Sequence, residues 1–337
     1  MRPLVLAFVT IIGLFASVSA AHHSLAIYES DTTTLEGEII DVQWVNPHVR
    51  TRLKTVGPDG KEQIWSLEGG SLMTLQRSAV TKGLMNEGDH VKVAVRVSKR
   101  DPLVAGALTM LLPDGREIQL FSGAPAFFTE AEHLLKGDDR AVVPDAASEG
   151  RGIFRVWSIP NRNPANAEAL LRLPFTQAAI AARSKFDLYD NFATRCEPEG
   201  MPRIMFNPHP FEFIDRGATI TLRTELYDTE RTIHMDRPGP AAGEPASRLG
   251  YSVGRWDGAA LVVTTSRVSW PFFDNIGSPQ SEAVQILERY SLSEDQSRLD
   301  FRVTVTDPTT FTTPAVIDSY WLALGATVRR YDCQPPR

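Results

Sequence analysis

The sequence predicts a mainly β protein: an N-terminal OB-like five-stranded barrel, then a C-terminal antiparallel meander closed as a lipocalin-like barrel or curved sheet. Three observations carry this. Val91, Val93, Val95 and Val97 alternate strictly with Lys92, Ala94 and Arg96, the period of a half-buried strand. About eight strand-like runs follow one another from residue 211 to residue 324, several divided by turn signals such as Asp257-Gly258 and Asp307-Pro308. Between the two halves, Pro144, Pro160, Pro164, Pro174, Pro198 and Pro202 interrupt short apolar runs, as in a connector rather than a core.

Residues 1–20 combine Arg2, an apolar stretch over 4–15 and a tail of small residues ending at Ala20-Ala21, the profile of a secretory signal peptide. The apolar run falls short of the roughly 20 residues needed to span a bilayer, so no stable membrane span is expected. Export to a periplasmic or extracellular space is the expectation. Small residues suit cleavage after Ala20, leaving Ala21-His22-His23, and equally after Ala21, leaving His22-His23.

The first β domain is expected over 21–122. Ile40, Val42 and Trp44 alternate with polar residues; 49–56 resumes the strand after Asn46-Pro47; Pro58-Asp59-Gly60 turns into 63–67. Leu72, Leu75, Gln76 and Val80 then have helical spacing, with Ser71 placed to cap a helix that ends near Gly83. The valine strand, 107–112, a Pro113-Asp114-Gly115 turn and 118–121 complete the domain. Three strands, a helix and two more strands are the order of an OB barrel. The linker is expected over 123–205, with its helix at 176–189. The second β domain runs over 206–337, its strands at 211–214, 219–227, 231–235, 252–256, 260–266, 283–291, 299–306 and 317–324. So many consecutive strands must hide their edges, hence the expected closure.

Composition narrows function by exclusion. The chain has 337 residues, 42% of them apolar and 23% charged, and a net charge of -6, so it offers no basic field for phosphates and no nucleic-acid partner is expected. An oxidising compartment favours pairing Cys196 with Cys333 in one disulfide, which by chain entropy would contribute roughly 4 to 5 kcal/mol; the alternative is a reactive Cys196 thiol.

Ala21-His22-His23-Ser24, Leu35-Glu36-Gly37 and Trp44-Val45-Asn46-Pro47-His48 resemble a family of uncharacterised secreted bacterial proteins, a domain of unknown function, over roughly the first third of the chain. The second half is similar to a related uncharacterised secreted set. The shared segments are Cys196-Glu197-Pro198-Glu199-Gly200-Met201-Pro202-Arg203, Ser252-Val253-Gly254-Arg255-Trp256, Leu261-Val262-Val263-Thr264-Thr265, Glu288-Arg289 and Thr304-Val305-Thr306-Asp307-Pro308. It departs from that set at Gly258-Ala259-Ala260, where Gly-Asp-Thr is expected, and at Gln280, where a His is expected. The resemblance implies ancestry and transfers no activity.

Two kinds of binding site are expected. His22, His23 and His48 are candidate ligands for a copper-type metal: an N-terminal amine, neighbouring amides and imidazoles suit square-planar copper(II) or nickel(II). Arg255, Trp256, His234 and Glu288 are candidate contacts for a small apolar ligand in the C-terminal barrel. An acid/base enzyme drawing on Glu225, His234, Asp236, Glu282 and Glu288, with Arg203, Arg255 and Arg289, is the alternative, and an envelope interaction module a third. Trp270-Pro271-Phe272-Phe273 reads either as an apolar mouth or as a lid folded back on the core. No HExxH, paired CxxC, phosphate loop or GxSxG elbow is present.

Overall fold

The computed structural model describes residues 27–77, 79–136, 152–158, 170, 172–240, 243–323, 325 and 327–335. His22 and His23, and the expected signal peptide, lie outside them.

The N-terminal strands are β1 (Thr33–Gln43), β2 (Arg50–Val56), β3 (Glu62–Glu68), β4 (His90–Val97), β5 (Val104–Leu111), β6 (Glu117–Gln119) and β7 (Leu134–Leu135), with helix α1 (Leu72–Arg77) between β3 and β4. They pair in the order β3-β2-β1-β4-β5-β6-β7, and a parallel β3–β5 pairing closes the first five into the expected barrel. Alternation explains its filling: Ile39, Leu53, Leu67, Val91, Val93, Val95, Ala105 and Met110 are all buried around Leu75 of α1. Gly37 is required where β1 curls over β2, because a Cβ there would lie 2.1 Å from the Lys54 carbonyl oxygen. The helix is shorter than its expected reach to Gly83; a 3-10 turn, Lys82–Leu84, replaces its end.

The C-terminal sheet comprises β8 (Val156–Trp157), β9 (Phe211–Asp215), β10 (Thr219–Thr224), β11 (Thr229–Met235), β12 (Tyr251–Asp257), β13 (Ala260–Ser266), β14 (Gln285–Leu292), β15 (Arg298–Thr306) and β16 (Ala315–Leu322), paired in sequence order. Two hydrogen bonds between Ser158 and Leu322, 2.7 and 2.9 Å, bring the ends together, so the barrel is nearly closed. One pairing departs from the meander: β11 and β12 run parallel, joined by a crossover over 236–250 of the length such a connection needs.

Two short pieces of the connector serve as strands. β7 pairs with β6, and β8 opens the second sheet. Helix α2 (Gln177–Arg183) is capped by Thr176, whose hydroxyl accepts from Ala179 N at 3.1 Å, and is shorter than the expected 176–189. The Cys196–Cys333 disulfide is formed, with Cα atoms 5.8 Å apart. Phe192–Trp270 and Phe192–Phe272 ring contacts at 5.2 and 5.8 Å fold the Trp270–Phe273 aromatics back onto the core. No helix among the described residues is long and apolar enough to cross a membrane.

Candidate functional site

The inward faces of the second barrel meet in a solid aromatic packing. Phe211–Trp321, Phe213–Tyr290 and Phe301–Trp321 ring centroids lie 4.7, 5.1 and 4.7 Å apart. A cavity of about 10 Å³ lined by Asn207, His209, Thr224 and Trp321 has the room of one water molecule.

One polar network interrupts it. Period 2 along β11, β12, β13 and β14 sends Arg231, Ser252, Thr265, Glu288 and Tyr290 inward, all buried. Arg231 grips Glu288 with both terminal nitrogens, one contact at 3.0 Å, and its Nη2 and Nε also donate to Thr265 Oγ1 at 2.7 Å and Ser252 Oγ at 2.9 Å. The Tyr290 hydroxyl donates to Glu288 Oε1 at 2.7 Å. Burial alone would pull the Arg231 guanidinium down, but the Glu288 charge and hydrogen bonds outweigh it and hold Arg231 above its ordinary value. Burial pushes the Tyr290 phenol well up, and Glu288 adds to this. Among the described residues the partners of this carboxylate, Arg231 and Tyr290, belong to the network, which is the geometry of an internal brace.

The four expected ligand contacts are not brought together. Glu288 points into the barrel; Arg255 is exposed on β12; Trp256 is 43% exposed at the rim, edge-on to Phe154 at 6.3 Å; His234 stacks on Tyr251 at 4.5 Å. The acid/base candidates are likewise dispersed. Asp236 and Glu282 are exposed, Arg289 pairs with Asp257 at 2.6 Å, and Glu225 is buried against His209 at 3.1 Å.

His48 occupies a different setting. It follows a cis Asn46-Pro47 bond at the entry to β2 and is partly exposed. Its Nδ1 lies 2.9 Å from the Gly69 carbonyl oxygen and 3.3 Å from Glu68 Oε1. Both contacts fall on Nδ1, and among the described residues nothing hydrogen-bonds to Nε2. This is how an imidazole is oriented when its second nitrogen binds a metal. Arg50 Nη2 stands 3.9 Å from Glu68 Oε2.

The chain leading to His22 and His23 is anchored beside this site. Tyr28 is 2% exposed, bridges Ser98, and lays its ring over Gly106, where a Cβ would come within 2.8 Å of the ring. Burial pushes the Tyr28 phenol far up; Glu68 raises it further and Arg50 opposes, so the hydroxyl sits in the field of Glu68, which also contacts His48, and of its partner Arg50. Among the described residues no three His, Cys, Asp or Glu side chains gather as a metal set. Sequence reading missed Glu68, Tyr28 and Arg231. The inward period of β11 shared by Thr229, Arg231 and Ile233 was a usable signal for Arg231 alone.

Residues 11–106 match a family described as a family of unknown function (DUF6152). The match covers the segment that contains His22 and His23, strands β1 to β4 of the five-stranded barrel and the first residues of β5. A comparison with curated proteins found no match.

Proposed function

We propose that the protein is an exported metal-binding protein that takes one copper-type ion at its mature N-terminus, with His22 or His23 and the N-terminal amine completing a site seeded by His48. The observation that carries this is the His48 ring, whose Nδ1 is fixed by Gly69 and Glu68 while Nε2 is free. The anchored Tyr28 supports it. Four residues lie between His23 and Tyr28, five steps that span at most roughly 18 Å, so the N-terminal histidines are within chain reach of residues that face Glu68. The ligand set of amine, amide and imidazole nitrogens suits copper(II). Half-buried Cys196 and Cys333, joined as a disulfide, fit the oxidising compartment that the N-terminal sequence predicts.

The test is intact mass of the protein exported by its native host, which fixes the mature end, followed by copper(II) titration against a glycine competitor. One ion per chain is expected. His23→Ala or His22→Ala, according to the end found, is expected to abolish tight binding, and His48→Ala to weaken it at least about tenfold, the size of effect that misplacing a metal-binding imidazole produces. Binding that is weak in the parent and indifferent to these substitutions would overturn the proposal.

A further inference from the structure

We propose that the Cys196–Cys333 disulfide is a redox-addressable clasp that sets how firmly the C-terminal strap holds the N-terminal barrel at Asn46.

Asn46 is 4% exposed, and residues of the strap pair with it. Its Nδ2 donates to the Tyr331 carbonyl, its own carbonyl accepts from Gln334 N at 2.9 Å, and it forms a parallel bridge with Cys333. Main-chain pairing between the two barrels thus centres on the half-cystine itself. Other contacts between the halves are Arg100 with Asp187 at 2.9 Å and over the Tyr189 ring at 4.0 Å, and Arg329 with Gln76 at 2.6 Å, all exposed, and the part-buried hydrogen bond that the Tyr189 hydroxyl donates to the Ile27 carbonyl oxygen at 2.8 Å. Solvent and salt weaken the exposed ones. The Asn46 pairing is buried and is not weakened in this way.

The strap has its own anchors in the second domain, but they end before the disulfide. Arg329 N donates to Glu225 Oε2 at 3.1 Å, and Tyr331 N to Asp228 Oδ1 at 3.0 Å, with the Tyr331 ring buried. Beyond Tyr331 the covalent tie is the bond from Cys333 to Cys196, which caps the 3-10 turn Phe192–Arg195. Both cysteines are half-buried, within reach of a small dithiol. A thiolate of the dithiol attacks one sulfur, the S–S bond breaks and a mixed disulfide forms; the second thiol then displaces it. The protein gains two electrons and two protons as two thiols, and the dithiol leaves as its cyclic disulfide. Residues 333–334 are then free to leave Asn46. Because His48 follows Asn46 by two residues, loosening reaches the His48 turn; this last consequence rests on the metal-binding proposal.

Residue-resolved hydrogen exchange on the full chain tests the clasp, with Gln334 N–H as the reporter and Ser158 and Leu322 N–H, which close the second barrel, as controls. The oxidised protein is compared with protein reduced by a phosphine and with the Cys196→Ser/Cys333→Ser variant. The expected result is at least tenfold faster exchange at Gln334 in both, with the two control amides unchanged. Unchanged exchange at Gln334 would overturn the proposal. So would equal acceleration at all three amides, which would make the disulfide a general staple. Asn46→Ala in the oxidised protein keeps the covalent bond and is expected to speed Gln334 exchange severalfold by itself. Copper(II) titration of the double serine variant is expected to give about tenfold weaker binding; if the parent protein binds no copper, the metal proposal falls while the exchange result still decides the clasp.

Discussion

Replacing Glu288 by Gln keeps the shape of the side chain and removes the charge that Arg231 faces, with both groups at or below 2% exposure. The guanidinium would retain its hydrogen bonds to Ser252 and Thr265, at 2.9 and 2.7 Å, and lose its counter-charge. Breaking one side of a buried pair costs about 3 to 5 kcal/mol, because the remaining charge stays desolvated. For a unit of the size of the second barrel, each kcal/mol moves the midpoint by about 2 to 4 °C, so the melt should fall by about 10 °C. Near-UV circular dichroism reports it directly, since Tyr290, Phe301 and Trp321 pack together beside the pair. The decisive companion is Arg231→Met with Glu288→Leu, which removes both charges and should recover most of the loss, giving a coupling of about 2 kcal/mol or more. Single variants that each cost under about 1 kcal/mol and add independently would refute the role of internal brace.

Three further outcomes follow from particular contacts. Gly106→Ala puts a Cβ within 2.8 Å of the Tyr28 ring and is expected to cost about 1 to 3 kcal/mol and to expose the peptide bonds around Tyr28 to protease; a parent-like digest would count against the anchored arm. Glu117 is buried, and burial would raise its pKa, but donors from Phe127, Phe128 and Thr129 at 2.8 to 3.1 Å outweigh this and hold it below the ordinary 4.5. Its stabilisation is therefore present above pH 4.5 and lost as pH falls through the lowered value, so 127–129 should loosen in acid, and Glu117→Gln should erase that pH-dependent step in exchange measurements. Glu199 is the opposite case: burial raises it, with Arg203 opposing only in part, and among the described residues its Oε2 has no hydrogen-bond partner. Its contribution is full below 4.5 and lost as pH rises through the raised value, so Glu199→Gln should melt higher than the parent at alkaline pH, and an equal or lower melt would contradict this.

The strands were legible where one face is buried and the other wet. Val91, Val93 and Val95 are at most 2% exposed, and the eight runs after residue 211 became β9 to β16, because period 2 is written into such surfaces. What stayed hidden had no period to show. β8 is two residues long, inside a proline-rich connector, and its role depends on Ser158 meeting Leu322 164 residues away. The parallel β11–β12 pairing depends on the path of residues 236–250, about which alternation is silent. At the site, His48 was legible from its place after Asn46-Pro47, whereas Glu68 and Gly69 were not, since only the closure of β2 against β3 brings them to its ring. Arg255 follows the buried Gly254, and a one-residue step on a strand changes the face; Trp256 keeps the phase of Ser252 and Gly254 but lies next to the last residue of β12, beyond the packed part of the strand, so both are solvent-exposed.

The most direct test of the metal-binding proposal is pulsed EPR of the mature protein carrying one equivalent of copper(II), read for the number of coordinated imidazoles. Two or more are predicted in the parent, with one lost in His48→Ala; a spectrum with a single imidazole, unchanged by His48→Ala, would contradict it.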